Sequence, residues 1–403
     1  MSNVETLQRA PSAQGRGGAP LAILFLTVFI DLLGFGIVIP FLPMYAEHMH
    51  VAAAGIGLIL ASYSLMQFLF APILGRISDH IGRRPVIMLG LFGSSLGYLI
   101  YGLASSFFWL LLSRAVHGAC AGTVSTAQAY VADTTTESER AHGMGIIGAA
   151  FGLGFVLGPA LGGLLGHSSL RTPAFFAAAL TFANLIFAAL KLPESHQPDS
   201  RVRLSWKRAT EPILTLPQRL VRHRLTRLFS IAFLATLAMA AFETTFALMV
   251  PLVYGDGAAG IGALLAFAGL VQAIVQGYVL RKIVAPLGEV RLVRLGLITF
   301  AIGMAPMAST SSHALLLVMI ALLSTGYGFA NPSVASLISQ RTERHLQGEV
   351  LGVNQSALSL ARVCGPLAGG LVYQVLGPVA AYVAGAASAV FALILTVNVD
   401  AVR

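Results

Sequence analysis

Apolar residues do not alternate with polar ones along most of this chain. They run on in stretches of about 20, parted by short polar or Gly/Pro-marked segments. A helix rising 1.5 Å per residue needs about 20 residues to cross the 30 Å hydrocarbon core of a bilayer. The pattern therefore predicts twelve spans, at 20–44, 55–75, 85–104, 107–131, 142–166, 172–192, 227–253, 259–281, 290–309, 313–338, 346–371 and 376–399. They fall into two sets of six, separated by the longest polar stretch, Pro193 to Thr226, which carries seven arginines and lysines from Arg201 to Arg224. The expected organisation is an all-α polytopic membrane protein with a flexible tail (1–19), a six-helix bundle (20–192), a linker (193–226), a second six-helix bundle (227–399) and a short tail (400–403).

Composition sharpens this reading. Only 10% of the residues are charged and 56% are hydrophobic, where a soluble domain carries about 25% charged residues. The net charge of +9 marks cytoplasmic loops here, not a nucleic-acid surface, because alternate loops hold almost every loop Lys and Arg. The opposite set holds one, Arg171. The charge asymmetry predicts that both termini face the cytoplasm. The apolar run 21–43 is too long for a signal-peptide core and reads as a retained first span. Cys120 and Cys364 sit in apolar runs, without metal-ligand spacing; they read as packing residues, and no metal or cofactor is expected.

The two halves repeat. Ala54-Gly55-Ile56-Gly57, with Gln67 ten residues on, recurs as Ala259-Gly260-Ile261-Gly262 with Gln272. Gly158-Pro159 followed by Gly162-Gly163 recurs as Gly365-Pro366 followed by Gly369-Gly370, and the offsets of about 205 and 207 residues agree. Two parallel repeats facing each other, with a site between them near the midplane, are a transporter architecture.

Charges inside membrane helices are costly and mark function by default. Four qualify: Asp31 in span one, Arg114 in span four, Glu243 in span seven and Arg362 in span eleven. Asp31 and Glu243 occupy corresponding spans, and are expected to face each other across the pseudo-twofold axis as carriers of a proton or partners of a substrate. Arg114 needs a carboxylate, and Asp31 is the obvious one if spans one and four are neighbours; His117 is an intramembrane packing or hydrogen-bonding residue. Arg362 is expected in interdomain packing or an ion pair. Tyr63, Gln67, Gln128, Gln272, Gln276, Tyr327, Asn331, Asn354 and Gln355 are candidates to line the cavity. Prolines 40 and 43 are expected to kink the outer end of span one.

Motifs then carry a resemblance. Gly75-Arg-Ile-Ser-Asp79-His-Ile-Gly82-Arg83-Arg84 resembles the signature loop between spans two and three of the major facilitator superfamily, with His80 in place of an Arg. The Arg114, Gly118 and Gly122 run resembles the family's span-four motif associated with proton coupling, and Gly154-x-x-x-Gly158-Pro159-x-x-Gly162-Gly163 resembles the span-five motif of drug:proton antiporters. The run from Asp31 to Pro43 and Tyr130-Val-Ala-Asp133 are similar to tetracycline exporters. The resemblance implies the major facilitator fold and alternating-access export of a lipophilic small molecule in exchange for protons, by a monomer in a cell membrane, that of a bacterial inner membrane; no nucleophile–base pair or metal-ligand spacing points to an enzyme. It implies that Gly75, Asp79, Gly82, Arg83 and Arg84 form a gate loop, with Asp79 near the start of span eleven, and that the span-five glycines clear the interface between halves. Two departures stand out. Gly97 occupies the place of a span-three Asp of tetracycline exporters, and the repeat of the gate loop at Arg281–Gly288 lacks the Asp. An uptake symporter and a non-transporting receptor on the same scaffold are the alternatives.

Overall fold

A computed structural model describes residues 18–135, 137–195, 225–342 and 347–397; most of the expected tails and of the linker lies outside it. Its elements are helices throughout, and there is no strand among the described residues. The first half comprises Gly18–Val38 continued by Leu42–His48 (span one), Ala53–Ile81 (two), Arg83–Leu103 (three), Phe107–Ala119 with Thr123–Thr134 (four), Glu137–Gly166 (five) and Thr172–Lys191 (six). The second comprises Thr226–Tyr254 (seven), Ala258–Ile274 with Leu280–Leu287 (eight), Glu289–Met304 (nine), His313–Gln340 (ten) and Gln347–Leu395 (eleven and twelve). Ten of these helices are long and apolar enough to cross a membrane. The twelve expected spans are recovered because Gln347–Leu395 holds two, divided at Gly377 with φ +86°, and the 16-residue Glu289–Met304 is continued by turns.

Three helices depart from regularity. Span one tightens into a 3-10 turn at Ile39–Phe41 around Pro40, as its missing N–H dictates. Span four breaks between Ala119 and Thr123, and span eight passes through a π-turn at Val275–Val279; neither was expected from the sequence. The segment Gly75–Arg84 is not a loop. Span two stays helical through Gly75 and Asp79 to Ile81, and the next helix starts at Arg83, so the whole reversal is made at Gly82, φ +104° and ψ 163°. Only glycine occupies that region readily. The repeat uses the same device: Gly288, φ +73°, joins spans eight and nine. At the other membrane face Gly255, φ +76°, follows span seven, and its first-half counterpart is His50 at φ 58°.

Glycines set the packing, and do so symmetrically. Gly154, Gly158 and Gly162 lie against span one: a Cβ on Gly158 would stand 2.6 Å from the Gly36 Cα, and one on Gly154 3.0 Å from the Leu32 Cβ. Gly365 and Gly369 pack in the same way on Ala240 and Ala241 of span seven. Contacts between halves come from the neighbouring residues. Gly163 meets Ala258 and Gly262 of span eight, and the Pro159 carbonyl meets Gly262; Gly370 meets Ala53, and the Pro366 carbonyl meets Gly57 of span two. The expectation that the span-five motif as a whole faces the other half is corrected: three of its glycines bring spans one and five together within one bundle, and Pro159 and Gly163 reach across.

These cross-half contacts all lie toward the ends of spans two, five, eight and eleven remote from the Gly82 and Gly288 turns. Toward the turns, Gly75, Gly145, Gly148, Gly152, Gly277 and Gly352 of the same four spans have nothing within 4 Å of where a Cβ would stand. The halves are closed on one side and splayed on the side that carries the basic turns.

Candidate functional site

Asp31 sits half-buried in mid-span, where it lines a cavity of about 40 Å³ with Phe35, Tyr63, Gln67, Ser94, His117 and Thr123. One carboxylate oxygen, Oδ1, has no hydrogen-bond partner. The small helix break before Thr123 brings a hydroxyl-bearing helix start to this level. The space holds water-sized groups, and a carboxylate in it can exchange a proton with whatever enters.

Arg114 does not pair with Asp31, contrary to expectation. Arg114 lies in the segment of span four before the break, whereas Thr123, which lines the cavity with Asp31, opens the segment after it. The guanidinium is instead wholly buried, 5.7 Å from the Tyr98 ring centre and 5.8 Å from that of Tyr101. None of its three nitrogens has a hydrogen-bond partner. Two cation–π contacts supply about 1–4 kcal/mol together, whereas removing an ion from water costs several, and arginine does not shed its proton. His117 stacks edge-on against Tyr98 and Tyr63, at 4.8 and 5.0 Å between centres.

Glu243 is exposed although it lies in the middle of span seven, and Arg362 is exposed on span eleven. Arg362 is within electrostatic reach of Glu243 and Tyr327 in its own half and of Tyr63 in the other. The two carboxylates do not face each other as expected, because Asp31 is walled by first-half residues alone. Of the remaining candidates, Gln128 and Gln355 are exposed, Gln272, Gln276 and Asn331 are half-buried, and Tyr327 and Asn354 are buried. Gln67 also donates to the Ala121 carbonyl at 3.5 Å, at the break in span four.

The Gly82 turn is a compact ionic knot. Arg83 donates to Asp79 at 2.5 Å, to Asp133 at 2.9 Å and to the Ser78 hydroxyl at 2.7 Å. Glu194 accepts from the backbone N–H groups of Arg83 (2.8 Å) and Arg84 (3.1 Å), and so caps span three where the helix dipole favours an anion. Arg84 donates to the Ala189 carbonyl. Asp79 makes its ion pair within the first half, not at the start of span eleven as expected for the gate. Glu194 was not singled out from the sequence, although it is the first acid after span six. In the second half Glu289 stands where Arg83 does, and accepts from Ser336 (3.2 Å) and Gln340 (2.5 Å) of span ten.

The structure also accounts for Gly97. A Cβ there would stand 2.8 Å from the His117 Cβ and 3.0 Å from the Ser113 carbonyl oxygen, so spans three and four pack too closely for the acid that tetracycline exporters carry.

Comparison with known proteins gives the same architecture a lineage. The chain is 30% identical over 364 residues to Multidrug resistance protein 2 of Bacillus subtilis (strain 168), covering 87% of the chain and 88% of the relative. It is 33% identical over 350 residues to the class E tetracycline resistance protein of Escherichia coli, covering 86% of each. Among solved structures, the human organic anion transporter MFSD10 (TETRAN) superposes with a TM-score of 0.72 at 27% identity, over 95% of this chain and 100% of that one. The family model described as Major Facilitator Superfamily matches residues 24–363 and 285–401. The chain is a multi-pass membrane protein that belongs to the Major Facilitator Superfamily.

Proposed function

We propose that the protein exports a lipophilic small molecule in exchange for protons, with Asp31 as the principal proton carrier and Glu243 and Arg362 as polar contacts of the substrate. The observation that carries this reading is the half-buried Asp31 carboxylate, with one oxygen unpartnered, in a small cavity at the middle of span one. The curated relatives named for multidrug and tetracycline resistance support efflux as the direction. The tight packing at Gly97 favours a substrate range of the multidrug kind over tetracycline.

The basic turns mark the cytoplasmic side by the positive-inside rule, so the splayed arrangement is a cytoplasm-open state, ready to load from the interior. Closure of that side brings spans two, five, eight and eleven together along faces cleared by glycine. Asp79 then exchanges its Arg83 partner for the start of span eleven, while Arg83 keeps Asp133.

Everted vesicles test the reading. Asp31→Asn is expected to abolish pH-gradient-driven uptake of a fluorescent lipophilic cation and to leave the protein inserted. Glu243→Gln is expected to change the substrate range while the gradient still drives transport. Full gradient-driven transport by Asp31→Asn would remove Asp31 from the coupling.

A further inference from the structure

We infer that Arg114 and the tyrosines around it form a buried binding site for a small monovalent anion, with a halide such as chloride as its natural occupant. The cluster lies behind the Asp31 cavity. His117 and Tyr63 line that cavity, and both rings pack edge-on against each other, with Tyr98 beyond His117.

Arg114, Tyr98 and Thr181 are fully buried and Tyr101 is 1% exposed. The three guanidinium nitrogens, the Tyr98 and Tyr101 hydroxyls and the Thr181 hydroxyl all lack a partner. A Cβ on Gly34 would lie 3.1 Å from the Thr181 hydroxyl oxygen and 3.6 Å from that of Tyr98, so glycine at this point of span one keeps the space beside those hydroxyls free. No ion pair joins Arg114 to a carboxylate among the described residues, and none of its nitrogens has a hydrogen-bond partner.

Chemistry selects the occupant. Guanidinium offers donors only and keeps its charge, and the hydroxyls can each donate one more hydrogen bond. One buried positive charge with unpartnered donors beside it is completed by an acceptor of charge −1. A divalent oxyanion would overcompensate the charge. An organic carboxylate would need an open path, whereas this cluster is enclosed by side chains of spans one, three, four and six. A halide accepts from any direction and needs no fixed geometry.

The test uses the full-length protein, purified in detergent, with its thermal unfolding followed at constant ionic strength as gluconate is replaced by chloride or bromide. A ligand that binds the folded state raises the midpoint saturably. The expected result is a saturable rise over about 1–100 mM halide, absent in Arg114→Gln, with half-saturation about tenfold weaker in Tyr98→Phe, which loses one donor. Should Arg114→Gln not fold, Tyr98→Phe and Tyr101→Phe decide. Bromide anomalous scattering from crystals is expected to place a peak within hydrogen-bond distance of the Arg114 guanidinium. Equal midpoints in gluconate and chloride, a halide effect unchanged in the tyrosine variants, stronger stabilisation by acetate than by halide, or a cluster without a bromide peak would each overturn the inference.

Discussion

Gly82→Ala isolates what holds the turn between spans two and three. Gly82 adopts φ +104° and ψ 163°, a region in which an L-residue costs about 1–3 kcal/mol. Its new Cβ would also stand 2.7 Å from the Glu194 carboxyl carbon. Glu194 must then withdraw from the N–H groups of Arg83 and Arg84, which removes a helix cap worth about 0.5–2 kcal/mol; the lower end applies at so exposed a site. The sum is a destabilisation of about 1.5–3.5 kcal/mol. Two companions separate the contributions. Glu194→Gln keeps the backbone and loses only the charge at the helix start, about 0.3–1 kcal/mol. Gly75→Ala lies inside a helix with nothing within 4 Å of the new methyl, and gains up to about 1 kcal/mol of helix propensity. Reversible denaturation of the purified protein measures all three. If Gly82→Ala unfolds within about 0.5 kcal/mol of the parent, the range of an ordinary surface change, or if Gly75→Ala is as damaging, the turn is not built as described.

The span-five glycines divide by what they touch. Gly158→Ala presses on the Gly36 Cα within the first bundle and is expected to lower stability by about 1–3 kcal/mol. Gly163→Ala presses on Ala258 and Gly262 across the halves, and is expected to slow transport by about tenfold or more with little loss of folded protein; equal stability loss in the two variants would contradict this division. His50 holds φ 58° where the repeat has Gly255, so His50→Gly is expected to be neutral or to stabilise by up to about 1 kcal/mol, checked by the same denaturation.

What was legible in the sequence was what a bilayer imposes on every residue. Twelve apolar runs, the charge asymmetry of the loops and the internal repeat are long-range patterns, and each survives errors of a few residues. The position of a turn is different. Gly75, Asp79 and Gly82 all look like loop residues by type, yet Gly82 alone needs a positive φ, and helical hydrogen bonding claims the rest. The candidate charges were found because a charge in lipid is conspicuous. Their partners were not, because pairing depends on the axial level at which neighbouring helices stop. Asp31 and Arg114 sit on adjoining spans but do not pair, and the tyrosines that flank Arg114 carry no signal that separates them from other membrane-helix aromatics. Glu194 was missed for a related reason: it caps span three from more than a hundred residues away.

Proton release on substrate binding tests the central claim most directly. Purified protein in weakly buffered detergent solution with a pH indicator is mixed with a neutral lipophilic substrate of established efflux. Antiport through Asp31 predicts that wild type releases protons as substrate binds, that Asp31→Asn binds substrate and releases none, and that Glu243→Gln still releases them. Proton release that persists in Asp31→Asn and disappears in Glu243→Gln would contradict the account and move the coupling site to the second half.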